Sequence, residues 1–125
     1  MAYTVKDVSE KTGITAYTLR FYEKEGVLPP IDRNNNGGRM YTDFDIDMIE
    51  TVQALRSTGL SLDEIKQYVE LYNTGDSKLQ ERKGLLARQK SKVEDQISLL
   101  IKTLEKINYK MALIDAQENR FDKLP

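Results

Sequence analysis

Arg20 stands beside two adjacent aromatic residues, Phe21 and Tyr22, in the run TAYTLRFYEKEGVLPP from Thr15 to Pro30, and Arg39 precedes Tyr41 in the run GGRMY from Gly37 to Tyr41. The first run has the form of a short helix closed by a glycine, and the second is a glycine-rich turn that returns a cation and a tyrosine to the same side. Guanidinium and tyrosyl hydroxyl groups arranged in this way suit the phosphates and groove edges of a nucleic acid. In this order the parts make a winged helix-turn-helix, which lays one helix in a major groove and a hairpin against the neighbouring backbone. The predicted partner is duplex DNA.

Composition narrows the alternatives. The 125 residues contain no Cys and no His, which removes thiolate nucleophiles, disulfides, Cys/His zinc sites and imidazole bases together. No metal or cofactor is expected. The acid pair Asp43 and Asp47 could hold magnesium, but carboxylates four apart at a helix start are far more often partners of the helix dipole. A chain of this length holds one small domain and a long accessory element, with little room for an enclosed catalytic site, so an enzyme is not expected. No apolar run approaches the roughly 20 residues of a membrane span, and the opening MAYTVKDVSEKTG has no signal-peptide pattern, so the expected location is cytoplasmic. The formal net charge of −1 argues mildly against DNA, with 8 basic and 12 acidic residues in positions 1–75 and 11 basic and 8 acidic in the rest. The DNA reading therefore rests on where the cations sit, since only those facing phosphate release counterions. Asp43, Asp45, Asp47 and Glu50 are expected to face solvent.

The elements that must position these residues follow from caps and spacing. Thr4, with Asp7 at the capping-box offset, opens a helix that Gly13 ends, and Thr15 caps the next, which Gly26 stops. On that second helix Leu19 and Tyr22 share one face, while Thr18 and Phe21 share the other. Asn34 to Gly38 accept positive φ angles, which predicts a hairpin with a mobile tip. Thr42 with Asp45, and Ser61 with Glu64, open two further helices whose Phe44, Ile49, Val52, Leu55, Leu62, Ile65, Val69 and Tyr72 are expected to close the core. Residues 73–77, NTGDS, read as a linker.

From Leu79 the pattern changes to a heptad stripe: Leu79, Leu86, Val93, Leu100, Ile107, Ile114 and Phe121, with Ile97, Leu104 and Met111 in the second seam position. Lys83 and Lys90 interrupt that second position near the start, so that end is expected to pack on the globular part or face solvent. A helix of some 35 to 40 residues would run roughly 50 to 60 Å. Its narrow apolar seam predicts a homodimer through Val93, Ile97, Leu100, Leu104, Ile107, Met111 and Ile114. The expected fold is mostly α: residues 1–75 form a winged helix-turn-helix with a small β-hairpin wing, and 76–125 supply the linker, a long C-terminal coiled-coil dimerisation helix and a short tail.

Taken together, Tyr3-Thr4-Val5, Lys11-Thr12-Gly13, Thr18-Leu19-Arg20-Phe21-Tyr22-Glu23, Gly26-Val27-Leu28, Gly38-Arg39-Met40-Tyr41 and Leu60-Ser61-Leu62-Asp63-Glu64-Ile65 resemble the MerR family of bacterial transcription regulators. The resemblance covers nearly the whole chain. It implies a homodimer joined by an antiparallel coiled coil on a pseudo-palindromic promoter, bending and untwisting the DNA so that RNA polymerase meets both promoter elements on the correct face. It also assigns roles. Thr15 would aim the recognition helix at phosphate, Ala16, Tyr17 and Thr18 would reach base edges, Arg20 and Tyr22 would lie at the backbone or groove edge, and Arg39 and Tyr41 would grip phosphates from the wing. Phe21 replaces the commoner Tyr and is read as core or sugar-contacting. Lys6, Arg33 and Arg56 are secondary backbone candidates.

Many proteins of the resembled family sense metals through cysteines or drugs through a C-terminal domain; this sequence has no Cys, and a separate drug-binding domain is not expected. An effector is unknown, and the remaining place for one is a shallow site near Tyr68, Tyr72 and the partner chain. Constitutive action or control by protein contact fits equally well. The rival reading is a DNA-independent coiled-coil adaptor or scaffold.

Overall fold

Four capped helices and a two-stranded hairpin make up the first of the molecule's two compact units, residues 1–86, and residues 87–125 form the second. The computed structural model describes residues 2–122, with side chains up to Arg120. The element order is α1 (Val5–Thr12), α2 (Ala16–Lys24), β1 (Asp32–Arg33), β2 (Arg39–Met40), α3 (Asp43–Ser57), α4 (Leu62–Asn73), a 3-10 turn (Gly75–Lys78) and α5 (Leu79–Asp122).

The caps do what the sequence pattern predicts. Thr4 and Asp7, Thr42 and Asp45, and Ser61 and Glu64 each form a complete capping box, with side chain and backbone bonded reciprocally. Gly13 adopts the left-handed conformation at φ 75° and donates its N–H to the Ser9 carbonyl, ending α1. The limits of these helices are thus set by local hydrogen bonds, while their stability comes from packing.

Packing then selects the inward faces. Val8, Leu19, Val27, Ile49, Val52, Ile65, Val69 and Tyr41 are essentially inaccessible and form the centre of one core. Two expectations for this region are corrected. Asp45 is buried rather than solvent-facing, because its carboxylate turns back to accept the Thr42 N–H at 2.9 Å. Phe44 is exposed rather than in the core and packs on Tyr72, with ring centroids 5.5 Å apart.

The hairpin pairs Asp32 with Met40 and Arg33 with Arg39, antiparallel. Its tip, expected to be mobile, is held by the Asn34 side chain, whose Oδ1 accepts from the N–H groups of Asn36 and Gly38, both at 2.9 Å. At its base, Tyr41 and Tyr3 exchange backbone hydrogen bonds of 2.7 and 2.9 Å, tying the wing to the chain start.

The stretch read as a linker is a 3-10 turn over most of its length. The compact unit also extends past the boundary at residue 75, because Leu85, in the second turn of α5, joins its core. The heptad positions Leu79 and Leu86 are exposed instead.

The second unit is helical through Asp122. Within it Ile97, Leu100, Leu104, Ile107, Met111 and Ile114 are all at least half exposed, and Val93 is half-buried. The side chain of Phe121 lies outside the described residues. Leu99, Ile101, Tyr109 and Leu113 are also exposed, so apolar surface extends beyond the heptad stripe.

Candidate nucleic-acid interface

The outward face of α2 is built by its N-terminal cap. The Thr15 hydroxyl oxygen accepts the Thr18 N–H at 3.1 Å and donates to the Thr18 hydroxyl at 3.0 Å, so the first turn starts cleanly with both hydroxyls engaged. Leu19, fully buried, anchors the opposite face. With that rotation fixed, residues spaced i, i+3, i+4 and i+7 from Tyr17 point away from the core.

Tyr17, Arg20, Phe21 and Lys24 occupy those positions and line a shallow depression of about 200 Å³. Tyr17 is 74% exposed, and Arg20 and Lys24 are also open to solvent. The lining contains two cations, two aromatics and no acid, although the chain as a whole is slightly acidic. Such a surface offers fixed donors to phosphate and flat apolar area to sugars and bases. Ala16 and Thr18 are half-buried at the start of the same helix.

The aromatic pair is divided by the helix. Tyr22 is half-buried and packs against the core, whereas Phe21 is exposed. Phe21, read from the sequence as core or sugar-contacting, and Lys24, given no DNA role there, therefore both join the outward face. Their spacing from Tyr17 carried the signal.

The wing departs most from expectation. Tyr41 is fully buried, and its hydroxyl has no hydrogen-bond partner among the described residues. It cannot reach a phosphate from there, so its assignment as a backbone contact is corrected to a core residue. Burial raises its pKa above the ordinary 10.0, and the nearby Glu23 carboxylate adds to the shift. Tyr3 is raised too, chiefly because its hydroxyl donates to Asp43 Oδ1 at 2.8 Å. A raised native value means that this contribution to stability is intact below about pH 10, where unfolded tyrosines begin to ionise, and is lost as pH climbs through the native value. Tyr41→Phe is expected to raise the unfolding free energy by about 1 kcal/mol, by removing an unpaired buried hydroxyl, and to lessen that alkaline loss. Urea denaturation at pH 7 and above pH 10 measures both effects.

Arg39 is partly covered, and its Nε donates to Glu23 Oε2 at 2.6 Å. Arg33, across the hairpin, is exposed, and its Nη1 donates to the Gly37 carbonyl at 3.0 Å. Lys6 is exposed on α1. Arg56 Nη1 donates to the Leu60 carbonyl and closes the α3–α4 turn. Neither lines the α2 depression.

The suggested effector residues are occupied by the fold itself. Tyr68 is buried in the core, and the Tyr72 ring contacts both Phe44 and the Arg82 guanidinium, which lies 4.6 Å from its centroid. Among the described residues no group of acids is placed to hold a metal ion, and no helix is long and apolar enough to cross a membrane.

Residues 3–71 match the family described as MerR HTH family regulatory protein, and residues 47–110 match the one described as MerR, DNA binding. The chain belongs to the MerR family. It is similar to an uncharacterised HTH-type transcriptional regulator of Haemophilus influenzae, with 43% identity over 112 residues covering 90% of this chain and 83% of the relative. Among solved structures it resembles HiNmlR, a MerR family regulator lacking the sensor domain and bound to promoter DNA. That match has 40% identity and a TM-score of 0.87, and covers 95% of this chain and 94% of the other. A MerR family transcriptional regulator from Bacillus thuringiensis matches at 31% identity and a TM-score of 0.82, over 90% and 98% of the two chains. As a MerR-type protein the chain is a DNA-binding transcription regulator, with a winged helix-turn-helix and a long C-terminal helix. Its relatives are transcriptional regulators rather than enzymes.

Proposed function

We propose that this MerR-type regulator works in the cytoplasm as a homodimer that reads two inverted half-sites of a promoter, with α2 of each copy in a major groove. The observation that carries this reading is the acid-free face of Tyr17, Arg20, Phe21 and Lys24 on a cleanly capped helix. Tyr17 is the principal base-facing side chain, with Ala16 and Thr18 near the groove floor. Thr15 presents the N-terminal amides to phosphate, and Arg20 and Lys24 flank the backbone. Tyr22 supports the helix from behind, since it is half-buried.

The seam, exposed from Ile97 to Ile114, supports dimerisation. A helix carrying this much apolar surface is not stable alone in water, and a second copy supplies the matching stripe. Two heads at a fixed distance can offset the cost of deforming DNA, on the order of 1 to 6 kcal/mol for a moderate bend. Bending and untwisting the promoter would then present its two elements to RNA polymerase. HiNmlR, a MerR family regulator lacking the sensor domain, is bound to promoter DNA, and its likeness over 95% of this chain supports extending that action here.

Selection of bound sequences from a pool of random duplexes tests the proposal. The expected result is a pair of inverted half-sites at constant separation. Retardation of any duplex should weaken steeply as salt rises. A dimer that retards no duplex at low salt would instead favour the adaptor reading.

A further inference from the structure

Glu23 ends the TLRFYE run, yet the α2 face makes no use of it. It lies in the last turn of α2, where the helix macrodipole disfavours a carboxylate. Its partner offsets that cost. The Arg39 Nε reaches it at 2.6 Å from the wing, and both side chains are about four-fifths covered, at 20% and 19% exposure. A charge-assisted bond so shielded is stronger and less screened by salt than a surface pair.

The hairpin register sharpens the point. Arg39 is paired directly with Arg33, and like charges opposite one another destabilise an antiparallel ladder. The two guanidinium groups part company: Arg39 turns to the recognition helix, while Arg33 stays exposed with one N–H on the Gly37 carbonyl. A guanidinium has five N–H donors, so Arg33 retains most of its capacity for a phosphate. Arg39 is engaged within the protein.

We propose that the Glu23–Arg39 pair is a strut fixing the wing to the recognition helix, and that Arg33 is the wing cation that meets phosphate. This rests on the DNA-binding reading above. Arg39 and Glu23 are then positioning residues: they set where the wing stands, and with it the fit of the whole head to a bent duplex.

The strut and a phosphate grip predict opposite signs for one substitution. Glu23→Gln releases Arg39. If Arg39 were held back from phosphate, binding would tighten, and if it is a strut, binding weakens. Retardation of the selected operator is measured from low to moderate salt for the wild type, Glu23→Gln, Arg39→Gln, the double variant and Arg33→Gln. Glu23→Gln and Arg39→Gln should each weaken binding roughly tenfold with the wild-type salt slope, and the double variant should be no weaker than the weaker single one. Arg33→Gln should flatten the slope by about 1.8 per dimer, one phosphate contact per head. Tighter binding by Glu23→Gln, or a flatter slope for Arg39→Gln, overturns the proposal.

Amide hydrogen exchange without DNA isolates the strut from the DNA reading. Glu23→Gln should speed exchange at the Asn34 and Tyr41 amides, which bond to the Gly38 and Tyr3 carbonyls, while α1 and α3 keep their protection. Unchanged wing protection refutes the strut even if DNA binding is confirmed. Faster wing exchange in a protein that binds no duplex supports the strut and overturns the Arg33 assignment.

Discussion

Replacing Leu100 and Leu104 with lysine is expected to convert the protein into monomers and to weaken operator binding by about 100- to 10,000-fold, the range by which linked heads exceed single ones. Both residues are more than half exposed in the single chain and stand in successive seam positions. Burying either against a second copy contributes about 1.5 to 3 kcal/mol, and an unpaired ammonium in the same place reverses the sign. The heads should remain folded, because residues 1–86 have a core of their own. Sedimentation equilibrium gives the association state, circular dichroism the folding of the head, and retardation the binding. A variant that still sediments as a dimer would show that the seam is not the association surface.

Neighbouring residues on α2 provide the second large contrast. Leu19 is fully buried and Arg20 is exposed, so truncating them one at a time separates folding from binding. Leu19→Ala should cost about 3 to 5 kcal/mol through lost burial and the cavity left behind, enough to unfold much of a small head. Arg20→Ala should leave thermal stability within about 0.5 kcal/mol, because it removes an exposed side chain. It should nonetheless weaken binding to all sequences alike and flatten the salt slope by about 0.9 per head. Tyr17→Ala, one turn earlier on the same face, should change which operator is preferred. If Arg20→Ala kept the full salt slope, the outward face of α2 would not be the phosphate-facing surface.

The helix-turn-helix was legible because its boundaries are local. Thr4, Thr15, Thr42 and Ser61 satisfy backbone donors within three residues of themselves, and the side-chain geometry needed is present in the sequence spacing. Helical spacing likewise separated Leu19 from Phe21. It left Phe21 open between core and sugar contact, because an aromatic at helical spacing fits a core equally well, and the structure places it on the outward face. Asp45 and Phe44 were misjudged for a related reason. Side-chain polarity predicts average burial, but Asp45 is held in by its capping bond and Phe44 is held out on Tyr72.

The order of the main elements and the capped starts of the first four helices followed from the sequence alone, since each cap depends on residues a few positions apart. The choice among the wing's polar groups did not. Glu23 and Arg39 lie sixteen positions apart, and only folding brings them to 2.6 Å. Whether Tyr41 faces the core and Arg33 faces solvent depends on how the hairpin is seated against Tyr3 and α2, a long-range packing result that residue types do not encode. Local hydrogen bonds settle where elements begin and end, while burial, which depends on every neighbour at once, settles which cations stay free to act.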